Sequence, residues 1–196
     1  MINIAVFASG NGSNAVNIFH YFHDHDLIYF KAIYCNSPQA GIINKAADLS
    51  IPCRQFNKAE WINGVITSEL ELDSIDFIIL AGFLWLVPAD IINTFHGKIL
   101  NIHPSLLPLY GGKGMYGLKV HETVIHNKEK ESGITIHLVN TEYDKGEILF
   151  QKKINVDENE TPLTLASKIH QLEHRYYPIT IEKYIKEFEE ERNSLS

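Results

Sequence analysis

Five short apolar runs, each followed by a turn or a stretch with helical spacing, dominate the first half of this 196-residue chain. They are residues 2–8 (INIAVFA), 30–36 (FKAIYCN), 51–56, 76–81 (DFIILA) and 98–103. The fourth is apolar almost throughout, as a parallel strand covered by helices on both faces must be. Helix-like stretches lie between the runs at 15–23, 41–49 and 60–70, the last marked by Trp61, Val65 and Leu70. Pro88 sits where it can open a further short helix. This alternation predicts an α/β fold class, with a doubly wound, mostly parallel sheet.

The pattern changes after Pro104. A glycine-rich loop, 109–117, carries Gly111, Gly112, Gly114 and Gly117, and a short helix is predicted over 118–126. Residues 133–139 (GITIHLV) alternate like a strand, turn at Asp144-Lys145-Gly146, and lead into a second strand over 148–156. These two are predicted to form an antiparallel C-terminal strand pair. Thr161 as N-cap and Pro162 at the first position begin a long C-terminal helix. Pro178 should kink or split it, and the charged end from Glu187 should fray. No repeat or linker interrupts the chain, so a single domain over 1–196 is expected, with halves 1–103 and 104–196.

Composition narrows the classes of function. The formal net charge of -7 argues against general affinity for nucleic acid or an anionic membrane. No apolar run is long enough to span a bilayer, and the first strand follows Met1 with no basic segment, so no signal peptide is expected. Cys35 and Cys53 lie in apolar segments without a CxxC pattern, which suits free thiols and a cytoplasmic location. The ten histidines show no HExxH, and His121 and His126 stand five apart, so no metal site is expected.

Three places could carry chemistry. Asn101 and His103 stand two apart at the end of an apolar strand, hence on one side of it. An amide donor and an imidazole facing one spot suit attack on a carbonyl. The turn Ser9-Gly10-Asn11-Gly12-Ser13-Asn14 joins the first strand to the first helix. Small residues and a helix N-terminus there suit a phosphate. It is neither GxGxxG nor a Walker sequence, which argues against a dinucleotide or nucleotide hydrolysis. Asp144 could raise the pKa of His103 if the two meet, although its local sequence alone reads as a turn. His137, mid-strand, could face the same cleft. Residues 81–88 (AGFLWLVP) read as core packing or as the apolar wall of a heterocycle pocket.

In order, Gly10-Asn11-Gly12-Ser13-Asn14, Leu80-Ala81-Gly82-Phe83, Asn101-Ile102-His103-Pro104-Ser105-Leu106-Leu107-Pro108, Gly133-Ile134-Thr135-Ile136-His137 and Tyr143-Asp144-Lys145-Gly146 resemble the folate-dependent phosphoribosylglycinamide formyltransferase family of purine synthesis. The similarity covers nearly the whole chain. It implies a Rossmann-like formyltransferase fold. It also implies transfer of the formyl group of 10-formyltetrahydrofolate, a co-substrate, to the amine of 5-phosphoribosylglycinamide, with no metal. By motif, the resemblance makes Asn101, His103 and Asp144 catalytic. Gly12, Ser13 and Asn14 would hold the phosphate and Glu173 the ribose. Leu84, Trp85, Leu86 and Val87, with Asn101 and the 139–144 turn, would line the folate cleft. The chain departs from the family pattern in a longer 110–117 loop, with His121 standing for the family's loop histidine. It also carries Trp85 where many members carry arginine. A monomer or homodimer is expected. A formyltetrahydrofolate hydrolase and a methionyl-tRNA formyltransferase are alternatives, the first expected to carry an extra N-terminal regulatory domain and the second a C-terminal nucleic-acid-binding domain. A non-catalytic phosphate-binding module is the third alternative.

Overall fold

The computed structural model describes residues 1–194. Strands and helices alternate in the order β1 (Ile2–Ala8), α1 (Ser13–Phe22), β2 (Ile28–Cys35), α2 (Ile42–Asp48), β3 (Cys53–Gln55), α3 (Lys58–Ile62), α4 (Val65–Leu72), β4 (Phe77–Leu80), α5 (Ala89–Thr94) and β5 (Ile99–His103). Then come α6 (Leu118–His126), β6 (Glu131–Leu138), β7 (Ile148–Asn155) and α7 (Pro162–Ser194). Seven strands form one sheet in the order β3-β2-β1-β4-β5-β6-β7. The first five are parallel. β6 runs antiparallel to β5 as well as to β7, so the direction changes before the C-terminal pair rather than within it.

The strand order reverses between β1 and β4, and ligands of such sheets collect at the carboxyl ends of the strands beside that point. Both faces of the sheet are covered. Ile4, Val6, Ile33 and Leu100 pack with Ile18 of α1 and Ile169 and Ile181 of α7. Alternate residues Phe7, Tyr34, Ile78 and Ile99 pack on the other face with Trp61, Ile66 and Ile91. Phe7 stacks on Tyr34 with ring centroids 4.8 Å apart, an arrangement contributing about 0.5–1.5 kcal/mol beyond the area buried.

Two predicted helices differ in the structure. Residues 60–70 form part of two helices, because Gly64 turns the chain at φ 77°, a left-handed value that ends α3 before α4 begins. α3 also starts earlier than its apolar spacing suggests. Asn57 accepts from the N–H groups of Ala59 and Glu60, while the Glu60 carboxylate accepts from the Asn57 N–H, a reciprocal cap on a five-residue helix. The second is α7, which Pro178 does not split. Proline lacks the N–H that the carbonyl four residues back requires. That carbonyl belongs to His174, and Asn17 Nδ2 of α1 donates to it at 2.8 Å. Thr161 caps the start, its Oγ1 accepting from the Thr164 N–H. The helix runs on through Ser194, across the charged end from Glu187 that was expected to fray, and residues 195–196 lie outside the described part. Further along, the Tyr177 hydroxyl lies 3.0 and 3.1 Å from the carbonyls of Leu80 and Leu100, tying α7 to β4 and β5 beneath the cavity described next.

Candidate active site

A cavity of about 640 Å³ opens at the carboxyl ends of β1, β4 and β5. It brings together the 10–14 turn, Asn101, His103, Asp144 and Glu173, with the 112–118 loop and Tyr143 on its walls.

At one end, the turn after β1 takes its shape from Gly12. Its φ is 71°, and a Cβ there would stand 2.4 Å from Ile42 Cδ1, so only glycine lets α2 approach this closely. The Ser9 hydroxyl accepts from the Leu84 N–H at 3.0 Å, fastening the turn to the segment leaving β4. Ser13 and Asn14 begin α1 and reach α7. Ser13 Oγ is 2.7 Å from His170 Nε2, and Asn14 Nδ2 donates to Glu173 Oε2 at 2.9 Å. The other amide atom, Asn14 Oδ1, is buried with no hydrogen bond from the protein. Burial lifts the Glu173 carboxyl above its ordinary range, against the opposing pull of Asn14 and His170.

At the other end, Asn101 and His103 come from β5. The antiparallel register sets Asn101 opposite His137. His137 Nδ1–H donates to the Leu138 carbonyl at 2.7 Å, so its Nε2 is the acceptor facing Asn101 Nδ2, 3.1 Å away. One amide hydrogen of Asn101 is held in this way, and its second hydrogen remains for a ligand. The Tyr110 carbonyl accepts from His103 Nε2–H at 2.8 Å. That bond fixes the tautomer and makes Nδ1 the position that gains or loses a proton. Nδ1 stands 3.5 Å from Asp144 Oδ2, and His137 Nε2 stands 3.6 Å from Asp144 Oδ1. Asp144 also accepts from the Gly112 N–H at 2.8 Å.

The ionisation of these groups is mutual. Burial alone would raise the Asp144 carboxyl, but the neighbouring His137 and His103 imidazoles and the Gly112 N–H outweigh burial and hold it low. Burial is the largest influence on His103 and pushes it down, with His137 adding to that. Asp144 and the Tyr110 carbonyl push it up, in the direction expected of a carboxylate partner, without overcoming burial. His121 also lines the cavity. Burial, and then His103, lower it to about 4, and its Nδ1 is buried without a protein partner.

The 84–87 run divides. Leu84 lines the cavity together with Phe83. Trp85 packs against Phe56 and Phe83, with Lys58 Nζ 4.4 Å above its ring. The Leu86 carbonyl accepts from Trp61 Nε1–H, and Val87 is in the core. Three groups were not singled out from the sequence: His170, the Tyr110 carbonyl and the Gly112 N–H. The signal for His170 was present, because it precedes Glu173 by three on a helix and so shares its face. The two backbone groups left no residue-type signal at all. Among the described residues, no group of three or more His, Cys, Asp and Glu side chains is placed to hold a metal ion. No helix among them is long and apolar enough to cross a membrane.

A model of the formyl transferase family matches residues 2–181. The chain belongs to that family. Within the family, it is 37% identical over 192 residues to the phosphoribosylglycinamide formyltransferase of Bacillus subtilis, covering 94% of this chain and 95% of that one. It is 41% identical over 184 residues to the chloroplastic phosphoribosylglycinamide formyltransferase of Arabidopsis thaliana. That match covers 89% of this chain but 62% of the plant protein, so the chain spans less than two thirds of that relative. A crystal structure of phosphoribosylglycinamide formyltransferase from Bacillus halodurans superposes with a TM-score of 0.83 at 32% identity, covering 92% of this chain and 94% of that one. The fold of this family member is therefore that of solved formyltransferases.

Proposed function

We propose that this chain transfers the formyl group of 10-formyltetrahydrofolate to the amine of 5-phosphoribosylglycinamide, releasing formylglycinamide ribonucleotide and tetrahydrofolate. The observation that carries the reading is the meeting of Asn101, His103 and Asp144, from two distant segments, in one cavity with a phosphate-suited turn. The family relatives carry that activity in their names.

In this reading, the phosphate rests on the 12–14 backbone and the Ser13 hydroxyl at the N-terminus of α1. Glu173 accepts from the ribose hydroxyls, taking a sugar in place of its Asn14 partner. The folate enters along Phe83 and Leu84, and the 139–144 turn closes the other side. The substrate amine attacks the formyl carbon, and the carbonyl electron pair moves to oxygen. The free amide hydrogen of Asn101 and the proton on His103 Nδ1 meet that oxyanion. Each such donor is worth roughly 10²–10³ in rate in comparable sites. The negative oxygen offsets the effect of burial on His103 and draws the proton to Nδ1. Asp144, ionised as the attack begins, stabilises the imidazolium. It also carries the proton lost by the attacking nitrogen toward the folate nitrogen, whose bond to carbon breaks as the oxygen pair re-forms the carbonyl.

The test is an assay with both substrates. Formylglycinamide ribonucleotide should appear in step with tetrahydrofolate. Release of tetrahydrofolate without any need for the ribonucleotide would replace this reading with hydrolysis.

A further inference from the structure

We propose that Tyr110 is a positioning residue for His103: its hydroxyl, bound to Glu129 and Asn127 away from the cavity, holds in place the carbonyl that decides which imidazole nitrogen faces Asp144. The inference deepens the reading of His103 above and rests on it for the effect on turnover.

The short segment 110–112 touches both His103 and Asp144 through its backbone. The Tyr110 carbonyl accepts from His103 Nε2–H at 2.8 Å, and the Gly112 N–H donates to Asp144 Oδ2 at 2.8 Å. Asp144 Oδ2 stands 3.5 Å from His103 Nδ1, which closes a ring of contacts. Residues 111 and 112 are both glycine. Tyr110 therefore supplies the one side chain by which this segment can be fastened.

The segment needs fastening. Tyr110 has a φ of 56°, in the left-handed region that crowds the Cβ of an L-residue. A residue stays there only where its surroundings hold it. Glycines at 111, 112, 114 and 117 follow, so the chain beyond would yield easily. Relaxation of Tyr110 to an ordinary angle would swing its carbonyl away from His103.

The fastening lies on the far side of the loop. The Tyr110 hydroxyl donates to Glu129 Oε1 at 2.5 Å and accepts from Asn127 Nδ2 at 3.0 Å. None of these three residues lines the cavity. Asn127 and Glu129 belong to the turn that ends α6, whose N–H groups at 127, 128 and 129 donate to the carbonyls of Thr123, Ile125 and Val124. Val124 is buried in the core, and the Tyr110 ring packs against the same core. Burial, and then Glu129, push the Tyr110 phenol up, so it keeps its proton while His103 titrates. One residue earlier, the Ser105 hydroxyl donates to the Leu109 carbonyl at 2.6 Å and steadies the chain entering Tyr110.

Tyr110→Phe keeps the ring and removes only the hydroxyl, so it separates positioning from packing. Its kcat should fall about tenfold, the loss of one hydrogen bond, with both KM values and the melting temperature little changed. The alkaline limb of the kcat profile should move to lower pH, because the Tyr110 carbonyl supports the charged imidazole. The other titratable groups facing His103, namely Asp144, His137 and His121, are the same in both proteins. Glu129→Leu should reproduce both changes, and Glu129→Gln, whose amide oxygen still accepts, should recover most of the turnover. Tyr110→Phe with Glu129→Leu should lose no more than either alone. In the imidazole nitrogen NMR spectrum, the ring missing from His103→Asn should carry its neutral-state proton on Nε2 in the wild type. In Tyr110→Phe that proton should be shared with Nδ1. Wild-type kcat in Tyr110→Phe, additive losses in the double variant, or a wild-type His103 with its neutral proton on Nδ1 would each overturn the proposal. The NMR measurement needs no substrate and so separates the two ideas. Transfer unaltered by Tyr110→Phe rejects the role of Tyr110 alone, and the proton shift without any transfer in the wild type rejects the assigned reaction alone.

Discussion

The two ends of the cavity are built on opposite plans. The end proposed to hold phosphate is local: residues 9–14 supply the turn, and Gly12 fixes its shape. The reaction end is assembled from residues 101–103, 110–112, 137 and 144, joined by strand register and by bonds to backbone groups. At the first end most donors are backbone amides, which no side-chain substitution removes. At the second, each ionisable group sets the charge of the next. Loss of a side chain should therefore weaken binding at one end and slow turnover at the other.

The largest test of that contrast is His103→Asn. Turnover should fall by about 10²–10⁴-fold with the melting temperature little changed. A mere loss of affinity would erase the distinction between the ends. Asp144→Asn should lower kcat by roughly 10²-fold and shift the pH profile of the reaction, since His103 loses the carboxylate that opposes its burial. The neutral histidines also have a stability signature. The folded pKa of His121, about 4, lies below the unfolded value of roughly 6.5. Its contribution is present above pH 6.5 and is lost as pH falls toward 4. Urea unfolding should show about 2 kcal/mol less stability at pH 5 than at pH 7 from this group, and His121→Gln should flatten that slope. His137→Leu should reduce kcat about tenfold through the freed Asn101 amide, with both KM values nearly unchanged. A KM effect alone would mean that His137 does not orient Asn101. Smallest, Ser13→Ala should raise the ribonucleotide KM by about tenfold or less and leave the folate KM alone. Equal changes in both would join what the comparison separates.

Legibility followed the same division. The parallel sheet, the 118–126 helix and the 9–14 turn were readable because strand runs, glycine turns and helix starts are written in neighbouring residues. Asn101 and His103 were readable as a pair for the same reason. That Asp144 meets His103, and His137 meets Asn101, depends on the β5–β6 register and on the turn between β6 and β7, which local patterns do not encode. The 60–70 helix was misread because apolar spacing continues across Gly64, and only its backbone angle reveals the break. Pro178 does not split α7 because its missing donor is answered by another helix, at Asn17. The 84–87 run looked uniform by composition, but strand exit and helix entry send Leu84 to the cavity and Val87 to the core.

That answer from Asn17 has a consequence for distance. Ser13 meets His170, Asn14 meets Glu173, Asn17 meets His174 and Tyr21 meets Glu182, so α1 and α7 run side by side like the rails of a ladder. Identical apolar rails can slide by a rung at little cost. Here one rung has a unique fit, because proline leaves a single mid-helix carbonyl without its usual donor. Sliding by one turn would strand both that carbonyl and the Asn17 amide, at about 1–3 kcal/mol for each buried group. One absent hydrogen atom in α7 thereby sets how far His170 and Glu173 stand from the turn they face.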